Sequence, residues 1–435
     1  MGRLIVAEKA LESSPRTLAS SGAKYGLIVG QNTAGRALVV HLSRTPPEPT
    51  DTASVRPTGT VSDVWVAKHA KQVIQLLPGG LDILGLFVVG GADVLKTQEA
   101  QLRTALNAIY RALDKLPQLH DREAEERLVA AVDPRTNKVT CRSLELSNLT
   151  ASLRPAEWRF QEVRWHRVQS ELFLDVTAGV APLAAETTMF RQIMMSLEPL
   201  LASLSDSTCL VDGRMAASDA PLAADEGRPG KGAGRTFALD LLYDTAKTAP
   251  AEKLLEPADA VIRVSGRVHC LAYLHTKATV AEAVSALSRD TRRSLLARCQ
   301  MHCDSLVEEQ PSDESATVLH EPPRRVLAPL APSQLHASDY LFPGDTAADS
   351  LQTFQDLFGL ELQPGDVMDT VETPSEERAH SECSSAAGAL DDLRELQSGG
   401  ARCSWLHLLL AVAIAAVGIL VSSLALIGPR SPGQH

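Results

Sequence analysis

A chain of 435 residues has room for two or three domains. Its 44% hydrophobic residues are enough for an ordinary core, but only 4% are aromatic, so that core must be mostly Leu, Val and Ala. The net charge of -11 excludes a chain built to coat nucleic acid.

The acid is concentrated. Between Asp366 and Glu395 nine acidic residues face two basic ones, Arg378 and Arg394, and the remainder is close to balanced. At the start, the apolar run 4–7 is too short for a signal peptide, and Glu8 and Lys9 follow it. Seven scattered cysteines do not form a disulfide framework and suit a reducing compartment.

In chain order, apolar runs 25–30 and 36–42 flank Gln31-Asn32-Thr33-Ala34-Gly35 and predict a β-hairpin. Ser62 and Asp63 open a helix whose apolar stripe is Val66, Ala70, Val73 and Leu77, and Pro78-Gly79-Gly80 ends it. Residues 81–89 are almost continuously apolar, as in a strand buried on both faces. A helix is predicted over 95–116, with Leu102, Ala105, Leu106, Ile109, Leu113 and Leu116 on one face. A second hairpin, 127–132 with 138–146, turns at Asp133-Pro134-Arg135-Thr136-Asn137. Residues 1–180 therefore read as a mixed α/β layer domain.

Residues 185–360 read as a second, α+β domain. A Gly/Pro-rich loop at 221–235 precedes strands at 236–243, 260–264 and 268–275. Thr279 and Glu282 form a capping box that opens a long helix, 279–308. A short helix over 346–358 stops at Gly359. The acidic, aperiodic stretch 361–403 predicts a flexible tether.

Residues 405–427 carry no formal charge. As a helix they would span roughly 34 Å, enough for a hydrocarbon core of about 30 Å. Trp405 stands at the interface position, and Leu410, Ile414, Leu420 and Ile427 belong to the apolar surface of this expected membrane anchor. A lone span so near the end predicts a tail-anchored, single-pass protein with a cytosolic body.

Several catalytic patterns fail. Around Gly230-Lys231 the phosphate-loop spacing is broken by Asp225 and Gly232. Cys299, His302 and Cys303 match no zinc pattern, and cysteines on an apolar stripe read as core. His269 and Cys270 are adjacent on a predicted strand and point to opposite faces, so they cannot pair as base and thiolate. No catalytic, cofactor-binding or metal-ligating residue is assigned.

An ordered set of motifs resembles the odorant-response-abnormal-four family of single-pass membrane proteins. It comprises Gly26-Leu27-Ile28-Val29-Gly30-Gln31, Arg44-Thr45-Pro46-Pro47, Trp65 with His69-Ala70, and Leu77-Pro78-Gly79-Gly80-Leu81 before Leu84-Gly85-Leu86-Phe87. Arg154-Pro155-Ala156-Glu157-Trp158, then Cys270-x-Ala272-Tyr273-x-His275, then Asp290 with Arg298-Cys299 complete it. The first region is also similar to an MPN domain, the fold of the JAMM metalloproteases. Active members carry two His on the buried strand, where this chain has Val88 and Gly90, with Gly91, Glu99 and Leu102 at the remaining site positions.

The resemblance implies a pseudo-enzyme without cofactor or metal. It implies an adaptor that promotes trafficking of odorant-type G-protein-coupled receptors. It further implies partnership, as an MPN-type heterodimer, with the Cys protease specific for the ubiquitin-fold modifier at the endoplasmic reticulum. Trp65 is the candidate partner contact, its alternative being a core role. The competing reading is a membrane-tethered hydrolase with a site of another kind.

Overall fold

The computed structural model describes residues 3–48, 61–116, 118–121, 126–146, 152–180, 188–223, 234–243, 260–306 and 320–372. Its elements in chain order begin with β1 (Leu4–Glu8), α1 (Ser14–Ser20), β2 (Tyr25–Thr33), β3 (Arg36–Arg44), α2 (Asp63–Leu76) and β4 (Asp82–Val89). Next come α3 (Val94–Thr97), α4 (Glu99–Asp114), β5 (Glu126–Asp133), β6 (Lys138–Glu145), β7 (Arg154–Gln161) and β8 (Trp165–Val180). They are followed by α5 (Met189–Ser205), β9 (Thr208–Val211), β10 (Arg214–Met215), β11 (Thr236–Leu242), β12 (Ala260–His275) and α6 (Val280–Leu306). The last are β13 (Arg324–Pro329), β14 (His336–Leu341) and α7 (Leu351–Phe358).

The first seven strands close into a barrel, in the order β1-β3-β2-β4-β5-β6-β7. The sequence predicted a mixed α/β layer without the closure of its sheet. The closing strand is β1, which runs parallel to both β3 and β7. Closure removes the exposed edges that an open sheet would leave. Ile5, Ala7, Ile28, Val39, Leu84, Phe87 and Leu128 fill the inside. Gly85 is required there, because a Cβ would come within 1.9 Å of the Leu128 carbonyl oxygen on the neighbouring strand.

The outside of the barrel packs against α2 and α4. The stripes Val66, Ala70, Val73 and Leu77, and Leu102, Ala105, Leu106, Ile109 and Leu113, are buried as their spacing predicted. The helix predicted over 95–116 is instead two helices that break at Gln98.

A second sheet has the order β10-β9-β11-β8-β12. The two strands predicted at 260–264 and 268–275 are one 16-residue strand that runs through Gly266. Helices α5 and α6 cover one face, where Val168, Leu197, Leu204, Cys270 and Leu287 form the core. Cys299 and Cys303 pack at the margin of this core. The capping box forms as predicted: Thr279 N donates to Glu282 Oε2 at 2.7 Å, and Glu282 N donates to Thr279 Oγ1 at 3.3 Å.

Residues 324–372 go elsewhere than the sequence placed them. Val326, Leu327, Tyr340, Phe354 and Phe358 join the core around α2 and α4 rather than that of the second sheet. Residues 361–372, assigned to the tether, pack on the body. Val367 is buried, Met368 pairs with Leu327 through two backbone hydrogen bonds, and Glu372 binds Arg298. The apolar side chains of this strap have more surface to bury on the barrel helices than a free tether would allow. The described residues 3–306 and 321–372 belong to one contact unit. The remainder of the tether and the expected anchor, with Trp405, Leu410, Ile414, Leu420 and Ile427, lie outside the described residues. Among those described, no helix is long and apolar enough to cross a membrane.

Candidate partner-binding surface

The head of α2 is built by local rules. Ser62 is its N-cap and accepts from Trp65 N at 3.4 Å, and Asp63 sits in the first turn, where the helix dipole favours an acid. Trp65 is half-buried. Its indole N–H donates to the Pro46 carbonyl at 2.8 Å, and Lys68 Nζ lies 5.2 Å from the ring centroid. The ring therefore holds residues 45–47 against the helix and keeps part of its surface outward. Beside it Val64 is 70% exposed. An apolar residue so exposed next to an oriented indole is the kind of surface a partner can use.

One turn further on, His69 is buried and has a structural role. Its Nε2 donates to the Leu357 carbonyl at 2.8 Å, and its Nδ1 accepts from Thr45 Oγ1 at 3.1 Å. Ser43 also donates to Leu357 O, and His41 Nε2 donates to Phe358 O at 2.8 Å. These side chains satisfy carbonyls that the end of α7 leaves open. Burial pulls the His69 imidazole down to about 4, against a smaller upward pull from Leu357. His41 is lowered by burial too. Both are neutral at physiological pH.

The positions that the sequence resemblance sets against the MPN metal site hold other chemistry. Val88 is 3% exposed and packs against the barrel helices. Gly90 N donates to Val132 O at 2.9 Å. Leu102 is fully buried, and Glu99 pairs with Arg103 at 3.1 Å. Among the described residues no cluster of His, Cys, Asp or Glu is arranged to hold a metal. Cys270 is fully buried beside Thr291 Oγ1, at 3.1 Å, and burial pushes its thiol up to about 12, so it is no ready nucleophile.

Most of the remaining motif residues converge on one buried junction between α2 and β12. Gly79 pairs with Ala272 as a short parallel bridge: its N donates to Leu271 O, and its O accepts from Tyr273 N, both at 2.9 Å. A Cβ on Gly79 would lie 2.0 Å from Ala286 O on α6, so the chain must be glycine there. Asp290 on α6 anchors the junction. Its Oδ1 accepts from Gly79 N at 3.2 Å and Arg325 Nη2 at 2.8 Å, and its Oδ2 accepts from Leu271 N at 2.8 Å and Arg325 Nη1 at 2.7 Å.

Arg293 donates to the carbonyls of Leu77, Pro78, Leu81 and Leu119. Arg298 grips Glu372 with two bonds, at 2.7 and 2.8 Å. Burial opposes charge on Glu372, yet Arg298 and the backbone donors of Arg325 and His269 hold its carboxyl below the usual range. Gln31 completes the seam by donating to Tyr273 O at 3.1 Å and accepting from His275 N at 2.9 Å. Sequence reasoning missed Arg293, Arg325 and Glu372. Arg325 had a signal, a charge directly ahead of the apolar run 326–330. Arg293 and Glu372 had none.

Comparison with known proteins agrees with these motifs. Residues 26–369 match the family described as odorant response abnormal 4-like. The chain belongs to that family. Curated odorant response abnormal 4-like relatives include the odr-4 homologs of Xenopus tropicalis and Homo sapiens. The first is 25% identical over 389 residues, covering 84% of this chain and 86% of the relative. The human one is 24% identical over 395 residues, covering 86% and 87%. Odorant response abnormal protein 4 of Caenorhabditis elegans is 20% identical, with 83% and 77% covered. Among solved structures, UfSP from C. elegans aligns with a TM-score of 0.43 and 10% identity, over 86% of this chain and 60% of that one. The odorant response abnormal 4-like match starts in β2 and runs through Asp369, so it takes in the barrel apart from β1, the second sheet and most of the strap.

Proposed function

We propose that this chain is a non-catalytic adaptor, anchored to the endoplasmic reticulum membrane by residues 405–427. It serves odorant-type G-protein-coupled receptors and recruits the Cys protease specific for the ubiquitin-fold modifier. The relatives' names, which refer to odorant response, support the receptor part. The acid-rich segment and the charge-free stretch 405–427 support the tethering.

The observation that carries the non-catalytic part is the filling of the MPN metal positions by a buried Val88 and by Gly90. A barrel retained without those ligands is a scaffold, and its open surface at Val64 and Trp65 is where the protease would dock. The non-catalytic part is tested on the full chain purified in mild detergent. Elemental analysis is expected to find no stoichiometric zinc, and the protein is expected to leave isopeptide-linked modifier uncut, with or without chelator. One zinc per chain, or chelator-sensitive cleavage, would overturn it in favour of a tethered hydrolase.

A further inference from the structure

Arg167 opens a question that the partner-binding surface does not answer. It lies on β8 directly across from Tyr273 on β12, on the face of the second sheet opposite to α5 and α6. Cross-strand neighbours of this kind stand about 5 Å apart at Cβ. Its Nε is buried and has no hydrogen-bond partner, and among the described residues no carboxylate forms an ion pair with it. The nearby acids are already committed: Asp290 to Arg325, and Glu372 to Arg298. Glu171, on the same strand, is exposed and four residues away, roughly 13 Å at strand spacing.

The neighbours of Arg167 are donors. The Tyr273 hydroxyl lies 2.9 Å from His336 Nδ1, with the two rings stacked at 13°. If the hydroxyl donates to Nδ1, the proton of neutral His336 is on Nε2 and available. Burial lowers the His336 imidazole, and the charge on Arg167 lowers it further. A half-buried guanidinium beside an imidazole, with an orphaned N–H group, is costly unless something accepts from it.

We infer that Arg167, with His336 oriented by Tyr273, forms a binding site for an oxyanion, a phosphate or carboxylate group. A side-on guanidinium presents two parallel N–H donors, which match two oxygens of such a group. The site is separate from the head of α2 and does not depend on the adaptor reading.

Equilibrium dialysis of the full chain in mild detergent against labelled inorganic phosphate tests the site. Saturable uptake of one phosphate per chain is expected. Arg167→Gln should weaken it about tenfold or more, as expected for losing a charge-assisted hydrogen bond. Arg167→Lys, which keeps the charge without the fork, should fall between. Because the Arg167 side chain has no hydrogen-bond or ion-pair partner to lose among the described residues, both variants should melt at or above the wild-type temperature. With ¹³C-labelled histidine, phosphate should move the His336 titration to higher pH in the wild type and not in Arg167→Gln. Competition by acetate extends the site to carboxylates, and its failure confines the site to tetrahedral oxyanions. Absence of saturable phosphate uptake and of acetate binding, or equal uptake by Arg167→Gln, overturns the inference.

Discussion

Replacing Asp290 by Ala is expected to destabilise the protein by about 3–5 kcal/mol, the usual cost of removing one partner from a buried ion pair. Both side chains of the Asp290–Arg325 pair are 1% exposed, so water cannot take over the lost partner. The Leu271 amide loses its acceptor as well, whereas Gly79 N keeps the Leu271 carbonyl at 2.9 Å. Typical domains hold only about 5–15 kcal/mol in total, so the variant should approach unfolding at 37 °C. For the same reason an apolar double replacement, Asp290→Leu with Arg325→Met, should fail to restore full stability, because the Leu271 amide stays unpaired. The control is Asp175→Asn. The Asp175–Arg263 pair is bidentate but 46% and 65% exposed, and its loss should cost about 0–1 kcal/mol. Urea unfolding of the three variants measures the contrast. Equal costs at the two sites would refute the view that Asp290 anchors the buried junction.

His69→Gln should remove a large acid-sensitive contribution. The folded value of about 4 lies below the unfolded value of 6.5, so the unfolded chain binds the proton first. The stability tied to neutral His69 is therefore complete above pH 6.5, declines as pH falls toward about 4, and is flat below that. A gap of that size corresponds to about 3 kcal/mol. The wild-type curve alone will not display it, because Asp339 works in the opposite sense. Burial raises its carboxyl to about 6, so its contribution grows as pH falls through the same window. The difference between wild type and His69→Gln isolates the histidine. That difference should shrink by about 3 kcal/mol between pH 7 and pH 4, and a difference constant with pH would show that His69 is not held neutral by the fold.

The sequence made the local elements legible. The stripes of α2 and α4, the two hairpins, the Thr279–Glu282 box and the stop at Gly359 each follow from spacing or from one capping residue. Gly359 adopts φ 71°, as a left-handed helix stop should. The long-range pairings were not legible. The run 4–7 is too short to announce a strand, yet it closes the barrel by pairing with β7 some 150 residues away. β7 itself shows no residue buried in full, so its composition resembles a surface loop. At the candidate site the motif residues were visible and their reason was not. Asp290 and Arg298 stand on a helix where charge normally marks the solvent face, and only the fold turns that face inward, with Arg325 of β13 against Asp290 and Glu372 of the strap against Arg298. Trp65 was visible as a contact, but not its bond to Pro46, which gives it a part in the fold as well.

That double role decides which residue probes docking. Trp65→Ala removes a packed side chain along with any contact, whereas Val64 is exposed and its replacement leaves the interior untouched. The most direct measurement is affinity purification of the full chain from mild detergent, comparing wild type with Val64→Asp, followed by mass spectrometry for the modifier protease. A charge placed at the centre of an interface should weaken binding by about 2–4 kcal/mol, roughly 30-fold or more. The expected result is that the protease co-purifies with the wild type and is lost from Val64→Asp at an unchanged melting temperature. Equal recovery with both proteins, or its retention after deletion of residues 1–180, would contradict docking through the head of α2.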